Sequence, residues 1–168
     1  MLKSQDVVVL LKLLGSAEPV PVRELADQLR YDVAGTHRAM RRLGEAGLYS
    51  SERRRVVSAR AEEFLVHAVK FNFPAKRGSE VRGMPTAWAA EPLRAELAEP
   101  TGLPPVWPYS KGTVRGLGFE PLHAIVPRAA QADPKLWERL ALVDALRGSD
   151  SARITGLATK LLRGALRS

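Results

Sequence analysis

Apolar positions in the first 70 residues recur at helical spacing, interrupted by short polar or Pro-containing stretches. Val7, Leu10, Leu11 and Leu14 fall at i, i+3, i+4 and i+7, which predicts a helix over Ser4–Leu14 with Ser4 as its N-cap and Gly15 as its stop. After a connection holding Pro19 and Pro21, Val22–Leu29 reads as a short helix with Leu25, Ala26 and Leu29 inward. Asp32 is placed to cap a third helix over 33–46, with Thr36, Met40 and Leu43 on its inner stripe. Gly47 stands where a left-handed C-cap belongs, and Leu48 supplies the apolar contact that follows such a cap. Two short strands are expected at 48–50 and 56–58, then a helix over 60–71 that buries Phe64, Leu65 and Ala68.

The pattern changes after residue 70. Residues 71–132 carry most of the Pro and Gly, and helical spacing returns only at Asp133-Pro134. There Asp133 caps and Pro134 opens a helix with Leu136, Leu140, Val143 and Leu146 on one face, broadened by Trp137 and Leu142 and ended by Gly148. A further helix over 151–166 carries Ile154, Leu157, Ala158, Leu161, Leu162 and Ala165. This pair forms either an intrachain core or a dimer interface. In the middle stretch Trp88, Trp107, Tyr109 and Phe119 read as the packing of a small β element rather than an aromatic ligand pocket. The segment 112–119 has three glycines but no strand-to-helix context for a phosphate loop, so it reads as a turn or strand.

Composition narrows the classes. An apolar fraction of 45% is enough to bury a core. The longest aliphatic run, residues 7–11, is far short of the roughly 20 residues that span a bilayer. Asp6 and Lys12 interrupt the N-terminal apolar stretch, and no small-residue cleavage site follows, so no signal peptide is expected. Zero cysteines exclude disulfides, thiolate zinc sites and a cysteine nucleophile, in keeping with a cytoplasmic protein. The formal charge of +8 calls for an anionic partner: nucleic acid, a membrane surface or an acidic protein. That charge is concentrated. Residues 30–60 hold Arg30, Arg38, Arg41, Arg42, Arg53, Arg54, Arg55 and Arg60 against only Asp32, Glu45 and Glu52.

The stretch Arg23-Glu24-Leu25-Ala26-Asp27-Gln28-Leu29, followed by Thr36-His37-Arg38-Ala39-Met40-Arg41-Arg42-Leu43-Gly44-Glu45-Ala46-Gly47-Leu48, resembles the winged helix-turn-helix of MarR-like bacterial transcription regulators. The resemblance covers about residues 5–60, a third of the chain. It implies a winged helix-turn-helix DNA-binding domain over 1–70; with the patterning of the rest, the chain reads as mainly α with a small β-wing, followed by a Pro/Gly-rich middle segment and a C-terminal helical pair, with a dimerisation or partner-binding region over 71–168. It also implies a repressor on double-stranded DNA, acting as a homodimer. Two departures stand inside the motif, Thr36 at a buried slot that is usually aliphatic and Gly35 where a hydroxyl residue is usual. A third lies at the start, where no dimerisation helix precedes the motif, so dimerisation falls to residues 61–168.

Helical geometry assigns the contacts. The major groove admits one helix, whose N-terminal residues reach base edges. With Thr36, Met40 and Leu43 inward, the expected base contacts are Ala34, Gly35, His37 and Arg38, with Arg38 able to chelate guanine O6 and N7. Arg41 and Arg42 lie further along and are expected on phosphates, with Arg53, Arg54 and Arg55 on the wing and Arg23 at the start of the second helix. The stretch 122–147 resembles a small group of bacterial winged-helix proteins found beside nucleotidyltransferase-type toxins, which implies an alternative: an antitoxin or interaction module gripping a partner protein through 71–168. No catalysis, metal or cofactor is expected. His37, His67 and His123 are dispersed, and Glu62, Glu63 and His67 lie on the polar face of a helix.

Overall fold

The structure, a computed structural model, describes residues 1–98 and 102–167. It is mainly helical with small β elements. Helices α1 (Ser4–Leu14), α2 (Val22–Leu29) and α3 (Val33–Glu45) are followed by a hairpin of β1 (Tyr49–Ser50) and β2 (Arg55–Val56). A long irregular helix then comprises α4 (Ser58–Glu63), a π-helical turn (Phe64–Ala68) and α5 (Val69–Asn72). The middle stretch holds β3 (Arg77–Pro85), a 3₁₀ turn (Ala87–Ala89), α6 (Leu93–Glu96), β4 (Pro105–Pro108) and β5 (Val114–Phe119). Helices α7 (Val126–Ala132), α8 (Pro134–Gly148) and α9 (Ala152–Arg167) complete the chain.

Local chemistry explains most boundaries, and corrects some. Lys3, not Ser4, caps α1: its backbone N–H donates to the Asp6 carboxylate at 2.8 Å. Asp133 caps α8 as expected, accepting from the N–H groups of Lys135 and Leu136. Gly148 closes α8 from within, with Ser149 as the cap. The helix expected at 60–71 begins earlier, and its π-helical turn advances the inward stripe. Leu65, Val66 and Val69 are buried, while Phe64 and Ala68 are only half-buried.

The middle stretch is a three-stranded closed barrel. β3 pairs antiparallel with β5 along its first part and with β4 along its last, and β4 pairs parallel with β5 to close the ring. Closure brings backbones into contact at glycines. A Cβ on Gly83 would overlap the Trp107 carbonyl, and one on Gly116 the Pro104 carbonyl. Trp107 and Phe119 are fully buried in this element, Trp88 and Tyr109 partly so.

One apolar cluster joins both halves of the chain, running from residues 7–11 of α1 through Leu25, Leu43 and Leu65 to Met84, Trp107, Leu140 and Leu162. Helix α8 lies at its centre, packed on α1, α5, α7, α9 and the 3₁₀ turn, with Leu136 and residues 140–146 buried. Its apolar faces are therefore spent on the intrachain core rather than left free for a second copy. No helix among the described residues is long and apolar enough to cross a membrane.

A buried polar network centres on Asp144 of α8. Asp144 is 1% exposed and accepts from Thr86 Oγ1 and Trp107 Nε1, each at 2.7 Å, and from Arg147 Nη1 at 2.6 Å. Burial pushes its carboxyl pKa up, against the pull of Arg147, Thr86 and Trp107. Arg147 in turn donates to the Phe73 carbonyl at 2.7 Å and lies over the Phe119 ring. The network ties α8 to the barrel and to the end of α5. Asp144→Ala strands a buried guanidinium, so it should lower the unfolding free energy by about 3–5 kcal/mol. A urea titration checks this; a loss below about 1 kcal/mol would show that the network is dispensable.

Candidate nucleic-acid interface

Helix α3 is built to show one face. Asp32 Oδ1 accepts the Gly35 N–H at 2.6 Å, and Thr36 Oγ1 donates to the Asp32 carbonyl at 2.9 Å, which fixes the first turn. The Thr36 hydroxyl thus has a backbone partner, which lets this polar side chain be fully buried. Gly47 ends the segment at φ +74°, and Arg60 donates to the Ala46 carbonyl at 3.2 Å, a favourable place for a cation. The inner stripe is Thr36, Ala39 and Leu43, all fully buried; Met40, expected inside, is only half-buried.

The outer face carries Ala34, His37, Arg38 and Arg41, all exposed. Arg38 makes no hydrogen bond or ion pair among the described residues. Arg41 Nε sits 3.8 Å from Glu45 Oε1, a solvent-exposed pair of little energetic consequence.

Two residues assigned to this face belong elsewhere. Gly35 is buried beneath Tyr31: a Cβ there would lie 2.6 Å from Tyr31 Cζ. Its lack of a side chain admits that ring, rather than a base edge. Arg42 faces inward too. Its Nε and Nη2 each reach an oxygen of Asp6 at 2.8 Å, so the guanidinium grips a carboxylate that is 1% exposed. The hydrogen bond with Asp6 raises the Arg42 pKa, with burial opposing it. Arg42 is an anchor joining α3 to α1, and it is not free for phosphate.

Tyr31 and Asp6 are the residues that periodicity overlooked. The Tyr31 ring meets His123 edge-on at 5.2 Å, which links the start of α3 to the chain ahead of α7. Burial lowers the His123 pKa, with Asp32 opposing it. A signal existed for both. A glycine in the first turn of a helix suggests that something packs on it, and an acid inside an aliphatic helix calls for a cation.

The hairpin strands are shorter than the expected 48–50 and 56–58, and the second begins one residue earlier, so that Ser58 opens α4 instead. Tyr49 pairs with Val56 and Ser50 with Arg55, and the Arg53 N–H donates to Ser50 Oγ at 3.1 Å. Arg54 takes a left-handed conformation at φ +52° within the turn. The side chains of Arg53, Arg54 and Arg55 are exposed, as is Arg23 near the start of α2, and none makes an ion pair among the described residues.

Comparison of the chain with protein-family models, with curated proteins and with solved structures finds no match. The site must be read from its own chemistry. Among the described residues no three His, Asp or Glu side chains converge as metal ligands would. What the surface offers is exposed guanidinium groups: Arg38 and Arg41 on one face of α3, and Arg53, Arg54 and Arg55 in the hairpin.

Arg42→Ala discriminates anchor from phosphate contact. Leaving Asp6 buried and unpaired should cost about 3–5 kcal/mol of stability, read by urea unfolding in the absence of any ligand. An unchanged midpoint would return Arg42 to the surface.

Proposed function

We propose that the protein is a sequence-specific DNA-binding transcription regulator, a repressor, whose first 70 residues act as a winged helix-turn-helix. The observation that carries this reading is the outward face of α3, where Ala34, His37, Arg38 and Arg41 stand exposed, together with the exposed Arg53, Arg54 and Arg55 of the hairpin that follows it in the chain. A helix with one exposed cationic side, on which Arg38 has no partner among the described residues, matches what the major groove accepts. In this reading the N-terminal turns of α3 enter the groove, Arg38 chelates a guanine edge, and Ala34 allows close approach or meets a thymine methyl. His37 flanks the same surface.

The hairpin arginines and Arg23 then neutralise phosphates, which supplies most of the affinity without reading sequence. Arg41, held only loosely by Glu45, joins them. A homodimer reading two half-sites is part of the proposal; because α8 is committed to the core, the second copy would dock on another surface.

Selection of duplexes from a random pool, followed by binding titrations, tests the assignment. Arg38→Ala should lose about 1–3 kcal/mol on the preferred site and relax preference at one base position. Unaltered preference would mean that α3 does not sit in the groove in this rotation. Arg53→Ala or Arg54→Ala should instead weaken binding to every sequence, and each should reduce the slope of log K against log salt by about one unit. An unchanged slope in both would remove the wing from the interface.

A further inference from the structure

A second cationic cleft lies across the α1–α2 connection from the hairpin. It encloses about 350 Å³ and is lined by Lys12, Gly15, Ser16, Asp133, Lys135 and Arg139, among others. Its single carboxylate is already occupied. Asp133 accepts from Lys12 Nζ at 2.6 Å and from the N–H groups of Lys135 and Leu136 at 3.1 and 3.2 Å. Burial would raise the Asp133 pKa, but these bonds hold it below the usual carboxylate value. Lys12 and Asp133 therefore cancel, and Lys135 and Arg139 are left as net positive charge.

Arg139 is the unusual member. Its half-buried guanidinium lies directly against Gly15, where a Cβ would stand 2.5 Å from Nη1. Among the described residues it makes no hydrogen bond and no ion pair within 4 Å; Asp133 and Glu138 act on it only at longer range. A guanidinium carries five donors, and one drawn partly out of water normally has them engaged. With no protein acceptor among the described residues, those of Arg139 are available to a ligand in the cleft that it lines.

The cleft does not stand alone. Leu14, Ser16 and Ala17 also line a neighbouring cleft of about 320 Å³, whose lining includes Arg53, Arg54 and Arg55 together with Glu18. The short connection after α1 thus separates two cationic clefts, one from the hairpin and one from α8. We infer that Arg139, assisted by Lys135, holds a phosphate group in the α8 cleft, and that this phosphate belongs to the DNA backbone next to the segment touched by the hairpin. The identity of the phosphate rests on the function proposed above; the presence of an oxyanion site does not. Planar paired donors suit Arg139 to a phosphate oxygen pair, and Lys135 adds a mobile point charge.

The experiment compares the full-length chain with Arg139→Gln and with Lys135→Gln, an exposed position where loss of the fold is not a concern. A selected duplex is titrated over a range of salt, and inorganic pyrophosphate is titrated calorimetrically into the DNA-free proteins. If the phosphate is DNA's, Arg139→Gln weakens duplex binding about tenfold and lowers the salt slope by about one unit, Lys135→Gln changes both in the same direction, and thermal midpoints stay put. If duplex binding is unchanged but saturable pyrophosphate binding disappears in both variants, the site takes a free phosphate ligand and the oxyanion assignment stands. If the wild type binds no duplex, the proposed function falls and pyrophosphate alone decides this site. Unchanged duplex binding together with absent or variant-insensitive pyrophosphate binding overturns the inference.

Discussion

A carboxylate closed off from water sets the geometry of the N-terminal half. Asp6 sits in the first turn of a mainly aliphatic helix, and α8 packs on α1. An ionised acid in that position is tolerable only with a cation and several hydrogen bonds. Arg42 supplies the cation through a two-pronged grip, and the Lys3 N–H supplies a third bond. Such a pair adds little net stability over an apolar substitute, but it tolerates few geometries. It therefore fixes the rotation of α3 about its axis. With Arg42 held at the flank against α1, Arg41, about 100° round the helix, points to solvent, and Arg38, one turn earlier and about 40° further from the core, stands at the edge of the exposed face.

The second half is the platform for this arrangement. α8 runs through the shared core, and its Asp144 holds Thr86, Trp107 and Arg147 together, so the barrel, α5 and α8 behave as one packed body. α1 rests on that body and α3 rests on α1. Tyr31 adds a second tie, since its ring fills the space over Gly35 and touches His123. The surface offered by α3 and the hairpin is consequently presented on a scaffold drawn from the whole chain. The same packing brings Arg139 of α8 beside the loop that borders the hairpin.

Elements with strong local grammar were readable from the sequence. The caps at Asp32, Gly47 and Asp133, and the inward stripes of α2 and α8, depend on neighbours within a turn or two. The barrel was not readable, because β3, β4 and β5 are short or Gly/Pro-punctuated and are defined by closure across some forty residues. Helix α7 was missed for a similar reason: Pro127 and a run of alanines give little periodicity, and its burial depends on α2 and α8. In the candidate site, Ala34, His37, Arg38, Arg41 and the hairpin arginines are exposed to solvent. Gly35 and Arg42 are not, because both lie at the flank of α3, where rotation by a fraction of a turn decides between solvent and core. The continuous aliphatic run at 7–11 was itself the clue that α1 is covered on more than one side, and hence that Asp6 is buried.

Backbone amide chemical-shift mapping of the full-length protein with a selected duplex tests the central claim most directly, because it reports which surface meets DNA without any substitution. The account predicts the largest changes over 34–41 and 53–55, with the amide of Arg42 much less affected than that of Arg38. Changes confined to residues 71–167, with α3 and the hairpin silent, would contradict it.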